Sequence, residues 1–388
     1  MTRLLATAAV LAATLAGPSR VSISISPTDA LLDRPVTVRV AGLAARERVV
    51  LQASTIDVAG RAWRSRVAYR ADGHGAIDTH GDMRLAWLMQ RVGAAPGNAD
   101  HLALSSSSTV AVTVLRGTKA AGRASFVRRT SADDVEHSDL TVDRDGLAGT
   151  FYRRPGAPPG TAVLILGGSA GGHGGALTGA LLASHGYPAL SLGYFAEPGL
   201  PQHLQNIPLE YFRAALRWLA TQPEVDPNRM VVAGVSRGGE LALLLASTYP
   251  DLVHGAVACT TAARVLGGDP SGRAWTIGGS PVPFEFLPVD RITAPTLITG
   301  AGQDEIIESG PATAQLLQFA HAHGRTNVTG RVYAKAGHGV GCGPPNLPSP
   351  GIVESPPGTF RSLGGSLAGN GEASAAAWPR LLHFLATI

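Results

Sequence analysis

Two serines in this chain stand in the pattern Gly-x-Ser-x-Gly, and their surroundings decide which is equipped to attack a carbonyl. Ser236 lies in Gly234-Val-Ser236-Arg-Gly238, directly after the β-branched run Met230-Val-Val-Ala and directly before Gly239-Glu-Leu-Ala-Leu-Leu-Leu-Ala246. That order is strand, turn, helix, the setting in which this pattern makes a nucleophile elbow. The serine sits on a strained turn, so the residues two before and two after it must be small for the strand and helix backbones to approach. The helix N-terminus then points its partial positive charge at the place where an oxyanion would form. The second match, Gly167-Gly168-Ser169-Ala170-Gly171, also follows a strand-like run, Thr161–Leu166. No clear strand–helix pair precedes it to supply an oxyanion donor. A Gly-rich turn after a strand earlier than the elbow strand is itself where that donor loop belongs. Gly167–Gly172 is therefore read as the oxyanion loop, with a backbone N–H near Gly168 or Ser169 as one donor and the Arg237 N–H as the other.

A serine hydroxyl needs a base, and the base needs a carboxylate to orient it. In this architecture they follow in the order Ser, acid, His. Downstream, Ala294–Gln303 reads as a buried strand and turn with Asp304 just past it, and Thr329–Lys335 as another strand followed by Ala336-Gly337-His338-Gly339. Asp304 and His338 thus both fall on loops after strands, at the carboxyl edge of a parallel sheet where ligands bind. Glu305 is the adjacent rival to Asp304.

The elements that must hold these residues differ between the two parts of the chain. From Val21 to about Val114, short alternating segments (Val21–Ser26, Val36–Val40, Val49–Ser54, Val67–Arg70, Thr109–Val114) are separated by turn clusters such as Ala71-Asp-Gly-His-Gly, which suggests an immunoglobulin-like β-sandwich over residues 21–118. From about residue 124 to 388, strands alternate with helical patterns, the signature of an α/β sheet. The amphipathic run Leu209–Ala220 is a packing helix before the elbow strand. Residues 265–290, rich in Gly and Pro, read as a loop over the site, with Trp275, Phe284 and Phe286 either lining an acyl pocket or packing.

Composition bounds the function. With 388 residues, 45% of them hydrophobic and 15% charged, the chain is globular and large enough for two domains. The net charge of +4 comes almost wholly from dispersed arginines, with no basic run longer than two residues, so no nucleic-acid face is expected. No metal motif and no cofactor fingerprint are present, and no stable membrane insertion is expected. Met1-Thr-Arg3 followed by the largely apolar Leu4–Ala16 has the makeup of a secretory leader over residues 1–20, which implies export, with a cytoplasmic protein as the alternative. The two cysteines, Cys259 and Cys342, both follow core strands near the site, and either a disulfide or two free thiols fits.

On these residues the chain resembles the acyl-CoA thioesterases related to bile acid-CoA:amino acid N-acyltransferase. The resemblance is carried by Ser24-Ile-Ser-Pro27, Tyr69-Arg-Ala-Asp-Gly-His-Gly, Pro208-Leu-Glu-Tyr-Phe-Arg-Ala-Ala, Gly234–Leu243, Gly302-Gln-Asp304, Ala336-Gly-His338 and the closing Ala377-Trp-Pro-Arg-Leu-Leu-His-Phe. It implies an α/β-hydrolase fold behind an N-terminal β-sandwich, and it puts Ser236, Asp304 and His338 on the family's catalytic triad. Members that make amides carry cysteine at the elbow and members that hydrolyse carry serine, so Ser236 implies water as acceptor. The chain departs from the family's pattern at Glu305-Ile-Ile-Glu308 and in the glycine-rich stretch around Cys342. The expected activity is hydrolysis of a small-molecule acyl thioester through an acyl-serine. The alternatives are an exported carboxylic-ester hydrolase, an N-acyltransferase, or a binding protein with a decayed hydrolase domain.

Overall fold

The computed structural model describes residues 20–94, 101–354 and 359–388; the expected leader falls, but for Arg20, outside them. The N-terminal part is built from two antiparallel-rich sheets. One pairs Ser22–Ser26, Thr37–Ala41 and Ile77–Asp78; the other runs Asp29–Leu31, Lys119–Arg129, Ser107–Arg116, Arg48–Ile56, Ala62–Arg70 and Gln90–Arg91. Along Arg48–Ile56 every second residue is buried, and Val49, Leu51 and Ala53 meet Ile25, Val38 and Val40 of the smaller sheet in one core. Period-two alternation therefore gives a sandwich, as the sequence predicts.

The boundary differs from expectation. Lys119–Arg129 forms a hairpin with Ser107–Arg116, so the sandwich runs past 118 and takes residues 124–129 from the α/β part. Lys119-Ala-Ala-Gly-Arg-Ala carries no β-branched alternation, and its strand character comes from pairing with its neighbour.

The second part contains one sheet of eight strands: β1 (Glu136–Leu140), β2 (Ala148–Arg153), β3 (Gly160–Leu166), β4 (Ala189–Gly193), β5 (Val225–Val235), β6 (Gly255–Cys259), β7 (Thr296–Ala301) and β8 (Val328–Tyr333), in the spatial order β1-β2-β4-β3-β5-β6-β7-β8. Strands β3 to β8 are parallel and β2 is antiparallel to its neighbours. Helices α1 (Ala176–Ser184), α2 (Leu209–Leu219), α3 (Arg237–Thr248), α4 (Ser309–Ala322) and α5 (Leu367–Thr387) cover both faces. On β5, Met230 and Val232 join the core under α2 and α3, while Val231 and Ala233 join the core under α1 and α5. Burial on both faces explains the unbroken apolar runs in these strands.

The two parts share contacts. Leu32 of the sandwich joins the α1/α5 core. The buried Asp33 carboxylate meets His185 Nε2 at 2.5 Å and accepts from Trp378 Nε1 at 2.9 Å. Among the described residues, no helix is long and apolar enough to cross a membrane, and no group of three or more His, Cys, Asp or Glu is placed to hold a metal ion.

Candidate active site

Ser236 occupies the sharp turn between β5 and α3, with φ 58° and ψ −117°, a region that costs a non-glycine residue about 1–3 kcal/mol. The surrounding structure enforces it. A Cβ on Gly234 would lie 2.1 Å from the Gly238 carbonyl oxygen, and one on Gly238 would lie 2.2 Å from that of Leu166. Both glycines are thus required by close backbone approach. Ser169 is differently placed: it is exposed in a turn, has no positive φ, and α1 begins only at Ala176. It has the spacing of an elbow without the geometry.

Asp304 follows β7 and His338 follows β8, and the two are joined by a hydrogen bond of 2.9 Å between Asp304 Oδ2 and His338 Nδ1. The Asp304 side chain is fully buried, whereas Glu305 is exposed, which separates the adjacent carboxylates. Asp304 Oδ1 accepts from the N–H groups of Ile306 and Ile307, and Oδ2 accepts from Ser309 Oγ at 2.5 Å. Burial raises its pKa, but the bonds from His338 and Ser309 outweigh that and hold it at about 2. The His338 backbone N–H donates to Leu363 O and the Gly337 N–H to Asn370 Oδ1, so the loop before α5 and α5 itself fix the histidine turn. Ser309 and Asn370 carry no pattern in the sequence that marks them for these roles.

The end of β6 is the common anchor of the Ser236 turn and the His338 loop. The Cys259 carbonyl accepts the Ser236 N–H at 2.8 Å. Thr260 Oγ1 accepts the Gly339 N–H at 3.3 Å, and Cys259 is disulfide-bonded to Cys342. Of the two cysteine states open from sequence, the structure has the disulfide. The Ser236 hydroxyl makes no hydrogen bond among the described residues, so serine and imidazole reach the same sheet edge without being joined, as is common before substrate binds. The N–H groups of Gly168, Ser169 and Arg237 donate to nothing among the described residues. A Cβ on Gly168 would stand 3.2 Å from that of Ser236, which puts the β3 loop against the serine.

Beneath the elbow lies a buried polar cluster that sequence patterning did not reveal. Glu240 Oε1 accepts from Trp275 Nε1 at 2.6 Å and from the Leu266 N–H, with the Arg237 guanidinium at 3.4 Å. Burial pushes the Glu240 carboxyl up to about 7 against these partners. Trp275 is accordingly a core residue packed on Tyr194 and Phe212, and Phe286 packs on Phe319. Phe284 is exposed under the Arg273 guanidinium. Of the two readings of these aromatics, packing holds for Trp275 and Phe286.

This is an α/β-hydrolase domain behind a β-sandwich, with an elbow serine and a paired acid and histidine at the carboxyl edge of its sheet. Residues 33–141 match the model described as acyl-CoA thioester hydrolase/BAAT N-terminal region, and residues 207–271 and 279–387 match its C-terminal counterpart. The two together span well over half of the sequence, and the chain belongs to the acyl-CoA thioester hydrolase/BAAT family. It is 28% identical to mouse acyl-coenzyme A thioesterase 6 over 61% of this chain and 60% of that protein. It is 24% identical to mouse acyl-coenzyme A amino acid N-acyltransferase 1, covering 82% of this chain and 86% of the relative. It is also 24% identical to the mouse peroxisomal succinyl-coenzyme A thioesterase, covering 94% and 96%. The chain therefore spans about three fifths of the thioesterase 6 length and nearly all of the succinyl-coenzyme A enzyme.

Proposed function

We propose that the protein is a serine acyl hydrolase that cleaves thioesters of the acyl-CoA type to free acid and thiol. The observation that carries this is the buried Asp304–His338 pair on the loops after β7 and β8, at the same sheet edge as the strained Ser236 turn. Ser236 attacks the carbonyl carbon while His338 Nε2 takes the hydroxyl proton and then gives it to the leaving thiolate. Water, deprotonated by the same nitrogen, releases the acid from Ser236. Asp304 keeps the proton on Nδ1, so that Nε2 is free to act as base. The N–H groups of Arg237 and of Gly168 or Ser169 hold the oxyanion, with the N-terminus of α3 behind Ser236 adding its dipole. A serine ester at the elbow is less reactive toward amines than a thioester would be, which favours water over transfer.

We also propose export. Met1–Ala16 has the makeup of a leader, and a disulfide between Cys259 and Cys342 persists in oxidising compartments. That bond also supports a second reading, an exported hydrolase of carboxylic esters.

The test is a panel of acyl-CoA, p-nitrophenyl ester and acyl-amide substrates, run on the unaltered protein and on Ser236→Ala and Ser169→Ala. Turnover of CoA thioesters, lost by a factor on the order of 10⁴ to 10⁶ in Ser236→Ala and retained in Ser169→Ala, is the expected outcome. Predominant amide product with glycine or taurine in excess would refute hydrolysis. Faster turnover of esters than of CoA thioesters would select the second reading. A mature N-terminus between Gly17 and Val21 would support export and favour the ester reading, and an intact Met1 would favour CoA thioesters.

A further inference from the structure

A cavity of about 220 Å³ opens between three of the loops that make up the site. One end is bounded by Gly167 and Gly168 of the β3 loop and by Gly234 and Val235 at the elbow. Gly339 and Cys342, from the loop that carries His338, form another wall. The cavity extends between α1 and α5, over Leu182 and Leu381. Thr178 supplies the one hydroxyl among its lining side chains; the rest is glycine backbone, aliphatic carbon and the Cys342 sulfur. No charged side chain lines it. It suits a hydrocarbon chain, and the glycines allow that chain to lie directly on the backbone.

We propose that this cavity is the acyl subsite, and that it takes an unbranched acyl chain of medium length. The inference rests on Ser236 being the nucleophile. Gly168 both lines the cavity and abuts Ser236, so a carbonyl held over the serine can send its chain past Gly168 and down between α1 and α5. Length follows from volume. A dry apolar cavity of about 150 Å³ accepts the six carbons of benzene, so one half as large again holds about eight or nine. The apolar cavity inside the sandwich, lined by residues such as Val38 and Val112, offers about 50 Å³ and is too small for such a chain. The disulfide gives the subsite a fixed wall, because Cys342 is tied to β6 and cannot swing away with the rest of its loop.

Two glycines give a test without backbone strain. Gly174 and Gly343 both line the cavity, neither has a positive φ, and a Cβ on either would meet nothing within 4 Å. A valine at either position adds bulk at the cavity wall without a backbone clash. The probes are p-nitrophenyl esters from acetate to dodecanoate, which keep the leaving group constant. In the unaltered protein, kcat/KM should rise about fourfold per added methylene up to octanoate or decanoate, then level or fall. Gly174→Val and Gly343→Val should each cut octanoate turnover by about 100-fold, the loss of three or four methylene contacts, and leave acetate within about threefold. Each variant is checked for folding by circular dichroism and thermal melting. An octanoate-to-acetate ratio unchanged in both folded variants would overturn the subsite while leaving the hydrolase reading intact. Equal loss of acetate and octanoate in both folded variants would also overturn it. If the unaltered protein cleaves none of these esters and no acyl-CoA, the hydrolase reading itself fails.

Discussion

Asp304→Asn isolates the function of the acid from its place in the fold. The amide has nearly the same shape, and its oxygen can still accept from the Ile306 and Ile307 N–H groups that now bond Oδ1. What changes is the atom facing His338. An NH2 in place of Oδ2 donates to Nδ1 instead of accepting from it, which forces the proton onto Nε2 and leaves nothing to deprotonate Ser236. The expected loss in kcat is about 10⁴, or about 5 kcal/mol of transition-state stabilisation. A stability effect accompanies it. The folded pKa of about 2 lies below the ordinary value of 3.8, so the ionised carboxylate stabilises the fold. At 1.36 kcal/mol per pH unit this amounts to about 2 kcal/mol, reduced by whatever solvent screening reaches the site. The contribution is fully present above about pH 4 and is lost as the pH falls through 4 toward 2. Steady-state kinetics with the best ester or thioester, and calorimetric melting from pH 7 to pH 3, read both effects. Unaltered protein should lose melting temperature over the acidic limb more steeply than Asp304→Asn. The exposed Glu305→Gln should leave rate and melting nearly unchanged. An Asp304→Asn rate within tenfold of the unaltered protein, or a larger loss in Glu305→Gln, would refute the assignment.

Other variants probe neighbouring parts of the site. Glu240, held at about 7 in the fold against an ordinary value of 4.5, binds a proton between those pH values that the unfolded chain has released, so it costs stability as pH rises from 4.5 to 7. Glu240→Gln should flatten that decline, and matching melting curves for both proteins from pH 4.5 to 8 would contradict it. Ser309→Ala removes the hydroxyl that donates to Asp304 Oδ2 and should lower kcat by about 10- to 100-fold with KM nearly unchanged, since it removes a single charge-assisted hydrogen bond worth about 1.5–3 kcal/mol. A change confined to KM would place Ser309 in substrate binding instead. Cys342→Ser releases the histidine loop from β6 and should lower both melting temperature and kcat, a stability loss of about 2–4 kcal/mol being typical for a disulfide. Full activity in a variant of unchanged melting temperature would show that the hydrogen bonds from Gly337, His338 and Gly339 secure the loop without the disulfide.

The sequence by itself determined most of the frame. Strands buried on one face alternate and strands buried on both do not, so the two textures of the chain distinguished sandwich from parallel sheet. The sharp turn at Ser236 was legible because a strand-to-helix turn of this kind needs glycine at 234 and 238, where a Cβ would overlap backbone. That Asp304 and His338 would lie close together was legible because loops after parallel strands share one edge. The decisions that remained were non-local. Ser169 and Ser236 have the same local pattern, and only backbone geometry and the position of the following helix separate them. Asp304 and Glu305 are adjacent acids, separated by which one the fold buries against His338 and Ser309. The Cys259–Cys342 bond closes 83 residues of chain, and the Glu240–Trp275 contact spans 35, so neither has a local signature. Glu240, in an apolar helix, looks like a solvated first-turn residue until the loop bearing Trp275 covers it. Periodicity reports what each element buries, and only the closed tertiary structure determines which distant side chain it is buried against.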